Sequence, residues 1–213
     1  MSPKITTAHE QGQRDRILEA ATRCFAQRGF HQATIQDICD RAGLSKGGLY
    51  TYFRSKDEIL AALIECNLSD AMRWATNAAG QATSALQRLE RIAEAMIESV
   101  IEGAGSRAHT PQLMLEVWAE ASKDPQLGDL LARGYDHWRT FIAQLFREGI
   151  ASGEIRADID PEVLAAICVA MFDGLTLQES ITKTKVNWRH VVATLRQTLI
   201  EGVVAAAKPP QEA

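Results

Sequence analysis

Apolar residues recur every three or four positions through most of this chain, and that recurrence predicts helices almost end to end. Ile17, Ala21 and Phe25 form an i, i+4, i+8 stripe over 14–28, ended by Gly29. Ile35, Ile38 and Ala42 mark a short second helix, with Thr34 as its N-cap, Asp37 in its first turn and Gly43 after its last residue. Leu44 fills the corner, and Ser45 caps a third helix to Tyr52, from which Leu49 and Phe53 point inward. Ser55 caps a fourth, which carries Ile59, Leu60, Leu63, Ile64 and Leu68 on toward Trp74. Residues 77–84 read as a loop and 103–111 as a break. Further helices are expected over 85–102, 112–122, 125–152, 161–180 and 188–206. Two of them start with Asp followed by Pro (Asp124-Pro125 and Asp160-Pro161), a capping carboxylate before a residue suited to the first helical position. No segment alternates as a strand does. The predicted class is all-α, about nine helices, with a polar arm over 1–13 and a disordered tail over 208–213. The arm either has no role or brings Lys4 to a groove edge.

The second and third helices, joined by a short turn containing Gly43, have the layout of a helix-turn-helix, whose second helix can enter a DNA major groove. Ser45, Lys46, Thr51 and Tyr52 suit a groove better than a core. Gly47 and Gly48 each cost a helix roughly 0.5–1 kcal/mol relative to Ala. Either they let the backbone approach a duplex closely, or the segment is a frayed turn. Lys56 lies at a helix N-terminus, where a cation is disfavoured; a phosphate beside that terminus would account for it.

Charge sharpens this picture. The net charge is −4, but residues 1–60 carry nine Lys/Arg against seven Asp/Glu, while the remainder carries fourteen against twenty. An acidic body with a small basic face favours site-specific binding over a general nucleoid coat. The proportions, 46% hydrophobic and 23% charged, are those of a soluble globular protein. No apolar run approaches the ~20 residues of a membrane span, and the N-terminus lacks a secretory core, so a cytoplasmic location without membrane association is expected. Cys24, Cys39, Cys66 and Cys168 are scattered in apolar helical patterns and read as reduced core thiols. The five histidines show no ligand spacing, and neither a metal nor a cofactor is expected. Nucleophile elbow, metal-ligand set and phosphate loop are absent from the sequence, and the carboxylates of Glu94 and Glu98 read as a solvated face, which argues against an enzyme.

From Arg14 to Leu60 the words ILEAATRCFAQRGFHQATIQDICDRAGLSKGGLYTYFRSKDEIL closely resemble the DNA-binding domain of the tetracycline-repressor (TetR) family. The resemblance implies a dimeric, all-helical transcriptional regulator, with a DNA-binding domain at 14–60 and a ligand-binding and dimerisation domain at 61–207. The stretch from Trp118 to Gln178 is more loosely similar to the C-terminal domains of certain TetR-type repressors, including that of the choline-pathway regulator, and carries no ligand across.

On this reading Ser45 to Tyr52 enters the groove. Lys46 reaches a base edge, Gly47 and Gly48 allow close approach, Thr34, Tyr50 and Lys56 contact phosphates, and Ser45, Thr51 and Tyr52 complete the surface. The partners are a palindromic double-stranded operator, a second copy of the chain and a small, largely apolar effector. The two-fold interface, implied by the family, is expected at Ile167, Met171, Gly174, Leu195, Leu199 and Gly202; alternatively these faces close the monomer core. Trp74, Met96, Met114, Trp118, Tyr135, Trp138, Phe141, Met171 and Phe172 are candidates to line an effector cavity, or are plain core. His137, Glu116 and Glu120 are candidate polar anchors. The competing function is a DNA-binding structural or assembly protein on the same scaffold, without an inducer.

Overall fold

Local capping chemistry sets most of the helix starts. In the computed structural model, which describes residues 7–80, 82–102, 111–182, 186–195, 197 and 202, Thr34 is extended at φ −106° and ψ 158°. Its hydroxyl accepts from the Asp37 N–H at 3.1 Å, and the Asp37 carboxylate accepts from the Thr34 N–H at 2.9 Å, a reciprocal capping box. The Thr34 hydroxyl and N–H hold the Asp37 carboxyl below its ordinary range. Ser45 accepts from the Gly48 N–H at 3.1 Å and Ser55 from the Glu58 N–H at 3.1 Å. Asp124 and Asp160 accept from the N–H groups of Gln126 and Glu162 at 2.8 and 2.9 Å.

The described residues form nine helices and no strand: α1 (Thr7–Arg28), α2 (Ile35–Ala42), α3 (Lys46–Tyr50), α4 (Lys56–Ala79), α5 (Ala85–Glu102), α6 (Pro111–Ala121), α7 (Pro125–Ser152), α8 (Pro161–Thr182) and α9 (Trp188–Leu195). Two boundaries differ from expectation. The first helix starts at Thr7, seven residues before Arg14, so 7–13 is helix and not arm. Its first two turns are polar, so no apolar stripe betrays them; Gln11 and Asp15 pair along the exposed face at 3.1 Å. The fourth helix runs on to Ala79, into the segment read as a loop. Residues 1–6, 103–110, Leu199 and the tail at 208–213 lie outside the described residues.

The chain divides into two compact units, 1–70 with 105–134 and 71–104 with 135–213. The first therefore extends beyond the expected 14–60 domain. Its core buries Ile17, Phe25, Ile38, Leu49, Phe53 and Leu60 completely, and Leu113 and Val117 of α6 belong to the same cluster. Each such side chain contributes about 1.5–3 kcal/mol on burial.

The second unit is built on Ile92, Ile142, Phe146, Ile155 and Leu164. Glu154 fixes the start of α5 there, accepting from the Leu86 N–H at 3.2 Å. Burial by itself would raise its carboxyl, but the N–H groups of Leu86 and Ala85 and the hydroxyls of Ser152 and Ser84 hold it below the usual range.

Helix α8 corrects the expectation about apolar length. By length and composition it is sufficient to cross a membrane. It also packs Leu164, Ala165 and Val169 into the second unit while leaving Val163, Ile167 and Ile181 about half exposed or more.

Candidate nucleic-acid interface and effector cavity

The exposed surface of the helix-turn-helix is made by α3 and its flanks. Gly43 ends α2 and turns the chain toward α3 at φ 66°, a conformation that L side chains rarely adopt. Leu49 and Phe53 anchor α3 in the core at 0% exposure. That leaves Thr34, Ser45, Lys46, Gly47, Tyr50 and Thr51 exposed; Gly48 and Tyr52 are half-buried, Tyr52 against the core. The Thr51 hydroxyl donates to the Gly47 carbonyl at 3.0 Å. A Cβ added at Gly47 would meet nothing within 4 Å, and one at Gly48 only the Ser45 hydroxyl at an ordinary 3.4 Å. Nothing inside the chain therefore requires either glycine to lack a side chain.

Two arginines of α1 hold this element in place. The Arg16 Nη2 donates to the Ala42 carbonyl at 2.6 Å, at the end of α2. The Arg14 guanidinium lies 4.5 Å from the Phe53 ring centroid, and its Nη1 donates to the Tyr52 carbonyl at 3.3 Å. Arg28 and Asp37 add an ion pair at 2.6 Å between α1 and α2. No sequence spacing marks Arg14 and Arg16, because their acceptors are carbonyls far along the chain.

Lys56 departs from its expected role. Its ammonium donates to the carbonyls of Phe30, Ala33 and His31 at 2.7, 2.8 and 3.3 Å, and lies 4.7 Å from the Phe30 ring centroid. An ammonium has three donors, and all three have an acceptor inside the chain. The cation at the start of α4 thus caps the corner between α1 and α2, where the sequence suggested a phosphate contact.

The same corner is gripped from α6. The Glu116 carboxylate accepts from the Phe30 N–H at 2.7 Å and lies against Gly29, whose φ is 77°. Glu120 pairs with His31 Nε2 and with Lys123 Nζ, each at 3.0 Å. Both carboxylates, read from sequence as effector anchors, are occupied in holding the DNA-binding element.

In the second unit, α5, α7, α8 and α9 line a partly open cavity of about 150 Å³. Of the nine candidate lining residues, Met96, Trp138, Met171 and Phe172 line it. Trp74 and Phe141 pack against the adjoining core, while Met114 packs against the core of the first unit. Trp118 lies on α6 in the first unit; Tyr135, on α7, is not among the lining residues. Nor is His137. Leu86, Leu89, Ile142, Phe146, Cys168 and Trp188 also line the cavity and were not singled out. Trp188 is the least expected of them. It opens α9, stacks obliquely on Phe172 at 5.8 Å, and donates its Nε1 proton to Glu179 at 2.7 Å. Burial pushes the Cys168 thiol up to about 11, so it is neutral at physiological pH. Burial likewise raises the thiols of Cys24 and Cys39.

Known proteins share both halves of this arrangement. The chain matches the family profile of bacterial regulatory proteins of the tetR family over residues 17–63, and that of the C-terminal part of BetI-type transcriptional repressors over 85–204. The transcriptional regulator UidR of Escherichia coli K12 is 30% identical over 165 residues, which span 78% of this chain and 80% of that one. A regulator from Saccharomonospora viridis, solved in complex with choline, is 30% identical, with a TM-score of 0.79 over 92% of this chain and 100% of its own. GusR of Salmonella enterica, at 27% identity, has a TM-score of 0.67 over 93% and 99%. With its helix-turn-helix, its cavity and these matches along most of its length, the chain belongs to the TetR family, as a ligand-responsive DNA-binding transcriptional regulator and not an enzyme.

Proposed function

We propose that the protein represses transcription from the cytoplasm as a homodimer on a palindromic operator, and is released by a small, largely apolar molecule held in the α5–α9 cavity. The observation that carries the DNA half is the open surface of α3, where Lys46 is exposed beside two glycines that no internal contact demands. Lys46 reads a base edge; Gly47 and Gly48 admit the duplex; Thr34 and Tyr50 fix the register on phosphates, with Ser45, Thr51 and Tyr52 beside them. Half-sites lie one helical turn apart or a multiple of it. Selection of bound duplexes from a random pool at physiological salt tests this reading. A palindromic consensus supports it, and weak, salt-sensitive binding without a consensus rejects it.

Lys46→Ala is expected to cost about 1–3 kcal/mol of discrimination between the operator and single-base variants. Titration against operator and random duplexes in parallel checks this. An equal loss on both would make Lys46 a phosphate contact.

The dimer half is supported by α8. Four large hydrophobic side chains are exposed among the described residues, and three of them (Val163, Ile167 and Ile181) are on this one helix. Exposed apolar residues concentrated on one element mark an interaction surface. A second copy meeting it across a two-fold buries Ile167, Met171 and Gly174 against their equivalents; Leu195, Leu199 and Gly202 are the further interface positions that the family resemblance implies. Met171 then serves both the interface and the cavity. In an isologous interface one substitution acts twice, so Ile167→Asp is expected to weaken the dimer by roughly 3–6 kcal/mol. Sedimentation equilibrium across a concentration series would show monomers in place of dimers.

A further inference from the structure

The walls of the cavity restrict the chemistry of what can fill it. Its side chains come from Leu, Ile, Val, Ala, Met, Phe, Trp and Cys, and no charged side chain is among the described lining residues. The heteroatoms they offer are thioether and thiol sulfurs and two indole nitrogens, and the Trp188 nitrogen is already bonded to Glu179. Carboxylates stand next to the lining at Glu90, Glu98 and Asp173, beside Leu89, Ile97 and Phe172, and Glu179 accepts from the Trp188 indole, but none of the four is a lining residue. The Asp173 carboxyl is bonded by Tyr135 and faces Arg139. A cation entering this cavity would lose its water and meet no carboxylate among the described lining residues.

Size restricts the occupant further. Pockets for drug-sized ligands run to about 300–1,000 Å³. A cavity of about 150 Å³ walled by Leu, Ile and Phe stays dry and accepts benzene.

We infer that the cavity takes an uncharged, compact apolar molecule of about six to ten non-hydrogen atoms, a single substituted aromatic ring or its alicyclic equivalent, and excludes organic cations of the choline class. The inference rests on the reading of this cavity as the effector site. The preference comes from the lining of this chain's own cavity, and not from the fold that it shares with a choline-bound relative. The aromatic walls do not reverse it. Rings alone attract a cation, but the dehydrated charge meets no counter-charge among the described lining residues, whereas a neutral ring loses little on leaving water and gains contact with Trp138, Phe172 and Trp188.

The test uses the full-length protein with toluene, choline and hexanoate as probes. Toluene at about a hundred times its Kd is expected to raise the Tm by about 5–10 °C, with no shift from choline or hexanoate at equal concentration. Alkylation of Cys168, followed by mass spectrometry, is expected to slow with toluene present. Cys168→Leu, which fills part of the space, should reduce the toluene shift, and Cys168→Ser, which keeps the volume, should retain it. A shift from choline, or protection of Cys168 by choline and not by toluene, overturns the inference. Operator release is measured in the same samples. Toluene uptake without release leaves the ligand class standing and removes the effector reading. Release by a molecule that leaves Cys168 unprotected places the effector site elsewhere and likewise removes the effector reading of this cavity, while the toluene and choline arms still decide its ligand class.

Discussion

Replacing Lys56 by Met is expected to destabilise the protein by about 2–4 kcal/mol, because three charge-assisted hydrogen bonds are lost and the Phe30, His31 and Ala33 carbonyls lose their donor. For a chain of this length that lowers the Tm by about 5–15 °C. Met keeps the aliphatic stem against Phe30, so the loss isolates the ammonium. Lys56→Arg should not restore stability, since a planar guanidinium cannot direct three donors from one point at three converging carbonyls. Thermal unfolding, paired with operator titration, checks both statements. A variant that melts like the parent but binds DNA more weakly would return Lys56 to the phosphate contact that its position first suggested.

The glycines of α3 should give a more unusual result, in which stability and binding move in opposite directions. Gly47→Ala places a methyl group in open space, and Gly48→Ala places one in ordinary contact with Ser45. Each removes backbone freedom from the unfolded chain and should add roughly 0.5–1 kcal/mol to the stability of the free protein. On the operator the same methyl group occupies the gap through which the backbone approaches the duplex. Overpacking costs about 1–3 kcal/mol, so affinity should fall about tenfold or more for each substitution, and further for the pair. Calorimetry of the free protein beside operator titration measures both signs. Raised stability with unchanged affinity would mean that the duplex never comes close to this turn, and that the glycines are only a weak helix.

The parts of the molecule that the sequence states clearly are those whose cause lies within four residues. Thr34, Ser45, Ser55, Asp124 and Asp160 all cap as their positions imply, because the hydroxyl or carboxylate and the N–H it receives are neighbours in the chain. The turn at Gly43 is legible for the same reason. Long-range polar contacts are not. Lys56 is 23 to 26 residues from its acceptors and Glu116 is 86 from Phe30, so each invited a more local interpretation, as phosphate contact or effector anchor.

The cavity shows the same limit. Helical spacing says which residues share a face but not which helix that face meets. Met96, Trp138, Met171 and Phe172 are in the lining, while Met114 has its partners in the other unit. Trp188 escaped because it is the first residue of its helix, with no apolar partner one turn before it. The start of α1 escaped because a polar, solvated helix has no apolar stripe to announce it.

The first unit is continuous in space but not along the chain, and this has a consequence in time. A ribosome that has made residue 70 has delivered α1, α2, α3 and the start of α4, yet Leu113, Val117 and the carboxylate of Glu116 are still untranslated. The unit is complete only 64 residues later, at 134, after the α5 segment that belongs to the other unit has been made. At about 5–20 residues per second the nascent DNA-binding element waits roughly 3–13 s with one wall of its core missing. During that interval Phe30 and its neighbours are available to chaperones, and the newborn chain has no finished surface with which to engage DNA.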